Sequence, residues 1–387
     1  MPGRHHLFVP GPSNIPDRIL RAMHRASEDH RSVEFPDLVL PLLDQTRRLF
    51  ATATGTVALF PSSGSGGWEA ALTNTLPAGS HVLLPGAGQF ASLWGDAARR
   101  LGYEVTTFAD LAWGAPPPPD RIAEALNSDR DRHIAAVLIV HNETSTGVTA
   151  DLPAIRRAID STGHPALLMS DGVSAIASLE YQHDAWGVDV AITGSQKGLM
   201  LPAGLALLAL SQRALDAIDH GAPRAYFDLK PMLAQNQTGY FPYTPSIPML
   251  YGLRESLAML REEGLPEVFA RHARLAAGVR AAVAAWKLSI CCRERSAESN
   301  TVTTIYTPDG VDASKLIKHA FTRYNLSLGG GLGPLAGKAF RIGHLGDLNE
   351  GMVLGALGLV EMALLDSGVK LDPGAGVAAA QRSWLAS

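Results

Sequence analysis

The chain has 387 residues, 46% of them hydrophobic, enough for a large core and more than one domain. Charged residues make up only 18% and the formal net charge is −4, a balance that excludes a polybasic nucleic-acid or membrane-surface binder. The 38 glycines and 25 prolines are scattered without period, which excludes a collagen-like or low-complexity chain and implies many turns.

Residues 1–16, with prolines at 2, 10, 12 and 16, read as an irregular arm that lacks the apolar region of a signal peptide. Residues 17–27 suit a short helix. Residues 35–50 suit an amphipathic one with Leu38, Leu42, Leu43 and Leu49 on its apolar side. A first strand at 57–60 runs into Pro61-Ser62-Ser63-Gly64-Ser65-Gly66-Gly67, and a helix is expected from Trp68 to Leu76. Strands at 81–84, 103–108, 133–140 and 166–169 then alternate with helices at 90–102, 120–126 and 151–159. This rhythm predicts a mostly parallel sheet covered on both faces. Two further strands follow at 188–193 and 204–210, the second a candidate for antiparallel pairing.

After Ser211 the texture changes. Helices are expected at 215–219, 247–262 and 265–286, the first two separated by the aromatic, proline-punctuated loop Gly239-Tyr240-Phe241-Pro242-Tyr243-Thr244-Pro245. Strands at 287–292, 301–306 and 339–342 and helices at 313–323 and 349–365 complete the pattern. A surface tail is expected from Gly368. The organisation predicted is an N-terminal arm (1–20), a three-layer α/β large domain with a mostly parallel, mixed sheet (21–260), and a smaller C-terminal α+β domain (261–387). The apolar run 199–210 is about a dozen residues long, short of the roughly 20 that span a membrane.

Chemistry concentrates where apolar strands end. Lys197 follows the run Val188 to Ile192 inside Gly194-Ser195-Gln196-Lys197-Gly198, and a lysine in so apolar a setting either snorkels to water or is used. Twenty-six positions earlier, Ala166 to Met169 ends in Ser170-Asp171-Gly172. An amine and a carboxylate at strand C-termini stand where open α/β sheets place ligands. Together they suit a carbonyl-condensing amine and a pyridine-nitrogen partner in a pyridoxal phosphate site. The loop with Ser63, Gly64 and Ser65, between a strand and a helix, is a candidate anion site, because free N–H groups and the helix dipole converge there. Phe90 is a candidate for stacking on the ring. Arg341 lies inside the apolar Phe340-Arg341-Ile342 and suits a substrate carboxylate, with a structural ion pair as the rival reading.

Other chemistries fit less well. The histidines show no metal-ligand spacing, and the adjacent Cys291 and Cys292 give neither a disulfide framework nor a zinc site, which favours a reduced, cytoplasmic setting. Gly64-Ser65-Gly66-Gly67-Trp68-Glu69 breaks the dinucleotide fingerprint at its third glycine, and no full nucleophile elbow is present. A non-enzymatic α/β protein remains the alternative from outside enzymology.

Several long stretches carry a resemblance: FVPGPSNIP at 8–16, FPSSGSGGWEAALTNTLPAG at 60–79, HNETSTGV at 141–148, SDGVSAIASLE at 170–180, WGVDVAITGSQKGLMLPAG at 186–204, YFPYTPSIPMLYGLRESL at 240–257 and GKAFRIGHLGDLNE at 337–350. On these the sequence resembles the class V aminotransferases of pyridoxal phosphate fold type I, and among them the bacterial serine–glyoxylate branch. The resemblance implies Lys197 as the cofactor lysine, Asp171 at the pyridine nitrogen, Ser63, Gly64, Ser65 and Gln196 at the phosphate, and Thr144 near the ring hydroxyl. It implies Phe90 at the stacking position, Arg341 at the substrate carboxylate and Pro10-Gly11-Pro12 at the substrate entrance. Tyr243 and Thr244 would reach the phosphate from the neighbouring subunit of a homodimer, which could assemble further. The reaction implied moves the amino group of L-serine to glyoxylate. Alanine and aspartate are alternative donors, and a lyase or desulfurase on the same fold is a more distant one.

Overall fold

The computed structural model describes residues 3–386, so the first proline of the arm, Pro2, lies outside the described residues along with Met1 and Ser387. Strand β1 (His6–Phe8) precedes helices α1 (Asp17–Met23) and α2 (Pro36–Leu49). The alternating part runs β2 (Thr56–Ser62), α3 (Gly64–Thr75), β3 (His81–Leu84), α4 (Gln89–Arg100), β4 (Glu104–Thr107), α5 (Pro119–Ser128) and β5 (Ile134–Val140). It continues through the hairpin strands β6 (Asn142–Glu143) and β7 (Val148–Thr149), then α6 (Leu152–Ser161), β8 (Leu167–Asp171), β9 (Val190–Gly194) and β10 (Gly204–Leu210). Helices α7 (Gln212–Ala217), α8 (Leu229–Asn236), α9 (Ile247–Glu263) and α10 (Leu265–Ala285) lead to β11 (Val302–Tyr306), α11 (Ala313–Tyr324), β12 (Leu326–Gly330), β13 (Ala339–Gly343), α12 (Glu350–Asp366) and α13 (Ala375–Leu385).

The large sheet has the order β2-β10-β9-β8-β5-β3-β4. Only β10 runs against its neighbours, β2 and β9; the remaining pairs are parallel. The sheet is buried on both faces, which is why β5 and β10 read as unbroken apolar runs rather than alternating ones. Strands β2, β9, β8 and β5 share a direction, so their C-terminal ends open on one edge. A second apolar core lies between α10, α12, α13 and the four-stranded sheet β1-β12-β13-β11.

Several expectations are corrected. The Gly/Ser stretch is not a loop ahead of a helix at Trp68: α3 already begins at Gly64, with Ser63 as its N-cap. Glycine is a poor helix former, but close packing overrides propensity here, since a Cβ on Gly64 would lie 2.5 Å from Val173 Cγ2 and one on Gly67 2.5 Å from Ile192 Cγ2. The arm is not wholly irregular, because β1 pairs in parallel with β12, too short a strand to leave a pattern. No strand forms over 287–292; α10 ends into Lys287 at φ 57°, and the segment contributes a single bridge, Ile290 to Ile305. Nor is the end of the chain a surface tail. Helix α13 packs on α10, and the Trp384 ring fills space that a Cβ on Gly278 would occupy.

Four buried histidines bear on pH. Burial depresses His141, His183 and His272 to about 4 and His344 to about 3. His272 accepts from Gly346 N (3.0 Å) at Nε2, which leaves Nδ1 as the donor to Val268 O (2.7 Å), so the ring is held neutral. A histidine whose folded pKa lies below its unfolded value binds fewer protons when folded. Its stabilisation is therefore complete above about pH 6.5 and declines as the pH falls from there toward 4. The melting temperature should drop steadily below pH 6.5, each such histidine costing about 1.4 kcal/mol per pH unit. Asp171 works against this trend, since its raised pKa lets the folded state take up one proton near pH 6. A melting temperature flat from pH 7 to 5 would contradict the assignment of neutral rings.

Candidate active site

Asp171 ends β8 opposite Val140 of β5 and Ile192 of β9, so it emerges on the same sheet edge as the turn that follows β9. That turn is pinned from both sides. Ser195 Oγ donates to Pro202 O (2.6 Å) and accepts from Leu205 N (3.1 Å), while Leu201 N donates to Ser195 O (3.0 Å) and Met200 N to Lys197 O (2.9 Å). A Cβ on Gly198 would stand 2.6 Å from Ile176 O, so the residue after the lysine has no room for a side chain. Lys197 is presented inward as a result.

Lys197 is buried, whereas Lys230, Lys287, Lys315, Lys318, Lys338 and Lys370 are all exposed. Its Nζ donates to Pro10 O, and a Cβ on Gly11 would overlap the end of the lysine side chain. Burial, assisted by the nearby Arg341 charge, lowers the ammonium to about 8; Asp171 and Glu143 oppose the shift. Such an amine reaches its neutral, nucleophilic form close to neutral pH.

The Asp171 carboxylate is held by two donors, Trp68 Nε1 to Oδ2 (2.9 Å) and Val173 N to Oδ1 (2.8 Å). Burial raises it to about 6 against the pull of these bonds and of Lys197, with Glu143 adding to the rise. Trp68 is itself fixed by stacking on Trp94, centroids 5.9 Å apart. A buried carboxylate in this state gains from a cationic partner.

At the N-terminus of α3, Gly64 and Ser65 have no carbonyl four residues back within the helix to accept from their N–H groups. A Cβ on Gly194 would fall 3.4 Å from Gly64 N and 2.8 Å from Gln196 Oε1, so these groups share one small space. Gln196 Oε1 is buried without a partner. Thr144 Oγ1 is in the same condition. Arg341 donates from Nε to Gly330 O (2.8 Å) and from Nη1 to Thr144 O (3.1 Å), and no carboxylate pairs with it among the described residues. Burial lowers it to about 10, so it stays charged at neutral pH.

Lys197, Asp171, Arg341, Thr144, Gln196 and the Gly64 end of α3 thus meet at one sheet edge. Phe90, half-buried in the first turn of α4 and packed on the large core, is tied by its backbone N–H to Glu143, in the loop that carries Thr144. Tyr243 and Thr244 stand apart. Tyr243 stacks on the exposed Tyr226 (4.4 Å between centroids), and Thr244 is exposed. Sequence reasoning missed Trp68, which holds Asp171, and Glu143, whose carboxyl is buried and pushed up by that burial. The donor set fits a pyridine aldehyde phosphate: open N–H groups for an anion, a buried carboxylate for a ring nitrogen, an orphaned hydroxyl, and one amine of lowered pKa.

Comparison with known proteins gives the family. Residues 5–332 match the family described as aminotransferase class-V. The chain is 56% identical over 385 residues to a serine–glyoxylate aminotransferase of Methylorubrum extorquens, covering 98% of this chain and 96% of that one. It is 44% identical to an L-aspartate–glyoxylate aminotransferase of Paracoccus denitrificans, covering 99% and 97%. Its fold superposes on the crystal structure of a ureidoglycine–glyoxylate aminotransferase from Bacillus subtilis with a TM-score of 0.91 at 28% identity, over 100% of this chain and 99% of the other. With most of its length matched and its architecture shared, the chain belongs to the class-V aminotransferase family.

Proposed function

We propose that the protein is a pyridoxal phosphate-dependent transaminase that transfers the amino group of L-serine to glyoxylate, giving hydroxypyruvate and glycine. The observation that carries the reaction class is that, among the described residues, one lysine is buried, set on the same sheet edge as a buried aspartate and an arginine that no carboxylate pairs with. Serine as donor is supported by the 56% identical relative, which is named for it.

When bound, the cofactor supplies an aldehyde that exchanges amines and a ring that accepts the electron pair left as substrate Cα loses its proton. The protein's residues do the rest. Lys197 Nζ would hold the aldehyde, and its amine of lowered pKa is the group that would take up the proton from substrate Cα and give it back. Asp171 would keep the ring nitrogen protonated, and Trp68 and Val173 hold Asp171 in place for it. Ser63, Gly64, Ser65 and Gln196 would bind the phosphate at the open end of α3, Thr144 would donate to the ring hydroxyl, and Phe90 would cover the ring face. Arg341 orients the substrate by its α-carboxylate.

This reading includes a homodimer in which the loop with Tyr243 and Thr244 approaches the phosphate of a second copy. The stack of half-buried Tyr243 on exposed Tyr226 supports it, being continuous with Phe227, whose ring leaves no room for a Cβ on Gly66 in the first turn of α3. No helix among the described residues is long and apolar enough to cross a membrane. Both cysteines are free thiols, which supports a reducing, cytoplasmic setting.

Replacing Arg341 by lysine keeps a charge but removes the planar fork. It should raise KM for both amino donor and glyoxylate by roughly 10- to 100-fold, the worth of a charged hydrogen bond, and change kcat less. Steady-state assays pairing glyoxylate with serine, aspartate or alanine test the donor. The highest kcat/KM is expected for serine, and a clear preference for aspartate or alanine would replace it.

A further inference from the structure

Glu143 takes no part in the reaction just described, yet it is buried beside it and makes no ion pair within reach among the described residues. It collects four hydrogens instead. Oε2 accepts from Phe90 N and Ala91 N (both 3.0 Å), and Oε1 from Ser145 N (3.0 Å) and Ser145 Oγ (2.6 Å). Ser145 Oγ in turn accepts from Gln89 N (3.0 Å). The first three N–H groups of α4 are therefore satisfied by a loop some fifty residues further on.

Helix α4 has no cap of its own. Its N-cap position is Gly88, with no side chain to offer, and a Cβ there would overlap the Glu143 carboxyl group. The helix has given up a local cap to admit a distant one. An anion at this end is also favoured by the helix dipole. The residue between the two capping side chains is Thr144, whose carbonyl takes a bond from Arg341. One short segment thus ties the start of α4 to the centre of the site.

We propose that Glu143 is a positioning residue: by clamping the first turn of α4 to the loop after β5, it sets the Phe90 ring at the distance from which it covers the cofactor. The inference rests on the pyridoxal phosphate reading above. Glu143→Gln keeps the size of the side chain, but its amide NH2 must then face either the Ser145 N–H or the two helix N–H groups, so half of the clamp is lost.

The test is a thermodynamic cycle on cofactor binding. Apoprotein of the parent chain, E143Q, F90A and the double variant is titrated with pyridoxal phosphate, followed by visible absorbance and by the circular dichroism induced in the bound cofactor. E143Q should weaken binding by about 10-fold and shrink the dichroic band, since a hydrogen-bonded charge is being lost from the clamp. In the F90A background the same substitution should change affinity by less than about 2-fold, because residues that act as one unit are not additive. Equal losses in both backgrounds, or an E143Q protein that melts lower but binds cofactor as tightly as the parent, would overturn the proposal. If E143Q does not fold, Ser145→Ala, which removes the hydroxyl between Oε1 and the Gln89 N–H, reads the same coupling. Failure of the parent apoprotein to take up cofactor would overturn the pyridoxal phosphate reading itself, an outcome distinct from a parent that binds and an E143Q that binds equally.

Discussion

Replacing Lys197 with alanine is expected to lower kcat by at least about 10⁴-fold, because it removes both the condensing amine and the proton carrier. The fold should survive. A buried ammonium is costly to keep, and Nζ makes one protein hydrogen bond, to the Pro10 carbonyl, so the melting temperature of the apoprotein should stay level or rise. Lys197→Arg is the sharper control. It keeps a positive charge near Asp171 and Glu143, but a guanidinium held protonated cannot condense with a carbonyl, so the loss in kcat should match that of alanine. Steady-state kinetics beside thermal melting check both variants. A Lys197→Arg protein with more than a few per cent of the parent activity would mean that charge, not nucleophilicity, is what the position supplies.

The second large effect is expected at Asp171. Asparagine is nearly isosteric and can still accept from Trp68 Nε1 or Val173 N, so the local structure is preserved while the anion is lost. kcat should fall by about 10²–10³-fold or more, the scale seen when a preorganised electrostatic partner is removed from a dry site. The substrate carboxylate is bound elsewhere, so KM should change far less. The visible spectrum of the loaded protein should also lose the signature of a protonated ring nitrogen. An Asp171→Asn enzyme with raised KM and unchanged kcat would place the aspartate in substrate binding instead.

Much of this is legible in the sequence. Continuous apolar runs ending in a polar residue identify strands buried on both faces, and the same runs made Lys197 and Asp171 conspicuous, since an unpaired charge at such a place needs a reason. Arg341 stands out likewise; it donates to the Gly330 and Thr144 carbonyls, and no carboxylate pairs with it among the described residues.

What was missed has physical causes. Strand β1 has three residues and owes its existence to β12, a contact more than 300 residues away along the chain that no local period encodes. The helical first turn of α3 is hidden because glycine propensity argues against it and tight packing against Val173 and Ile192 argues for it. Trp68 looks like ordinary core until Asp171 is placed beside its indole N–H. Glu143 was the avoidable miss. It lies three residues beyond the apolar strand Ile134–Val140, where Asp171 ends its own, and a carboxylate so near the end of an apolar run asks for the same explanation.

The most direct test is to load the protein with pyridoxal phosphate, reduce it with borohydride, digest it and map the added mass. The account predicts one modified peptide, the one containing Gly194-Ser195-Gln196-Lys197-Gly198, with the exposed lysines at 230, 287, 315, 318, 338 and 370 unmodified. Cofactor mass on one of those exposed lysines, or on no peptide at all, would contradict it.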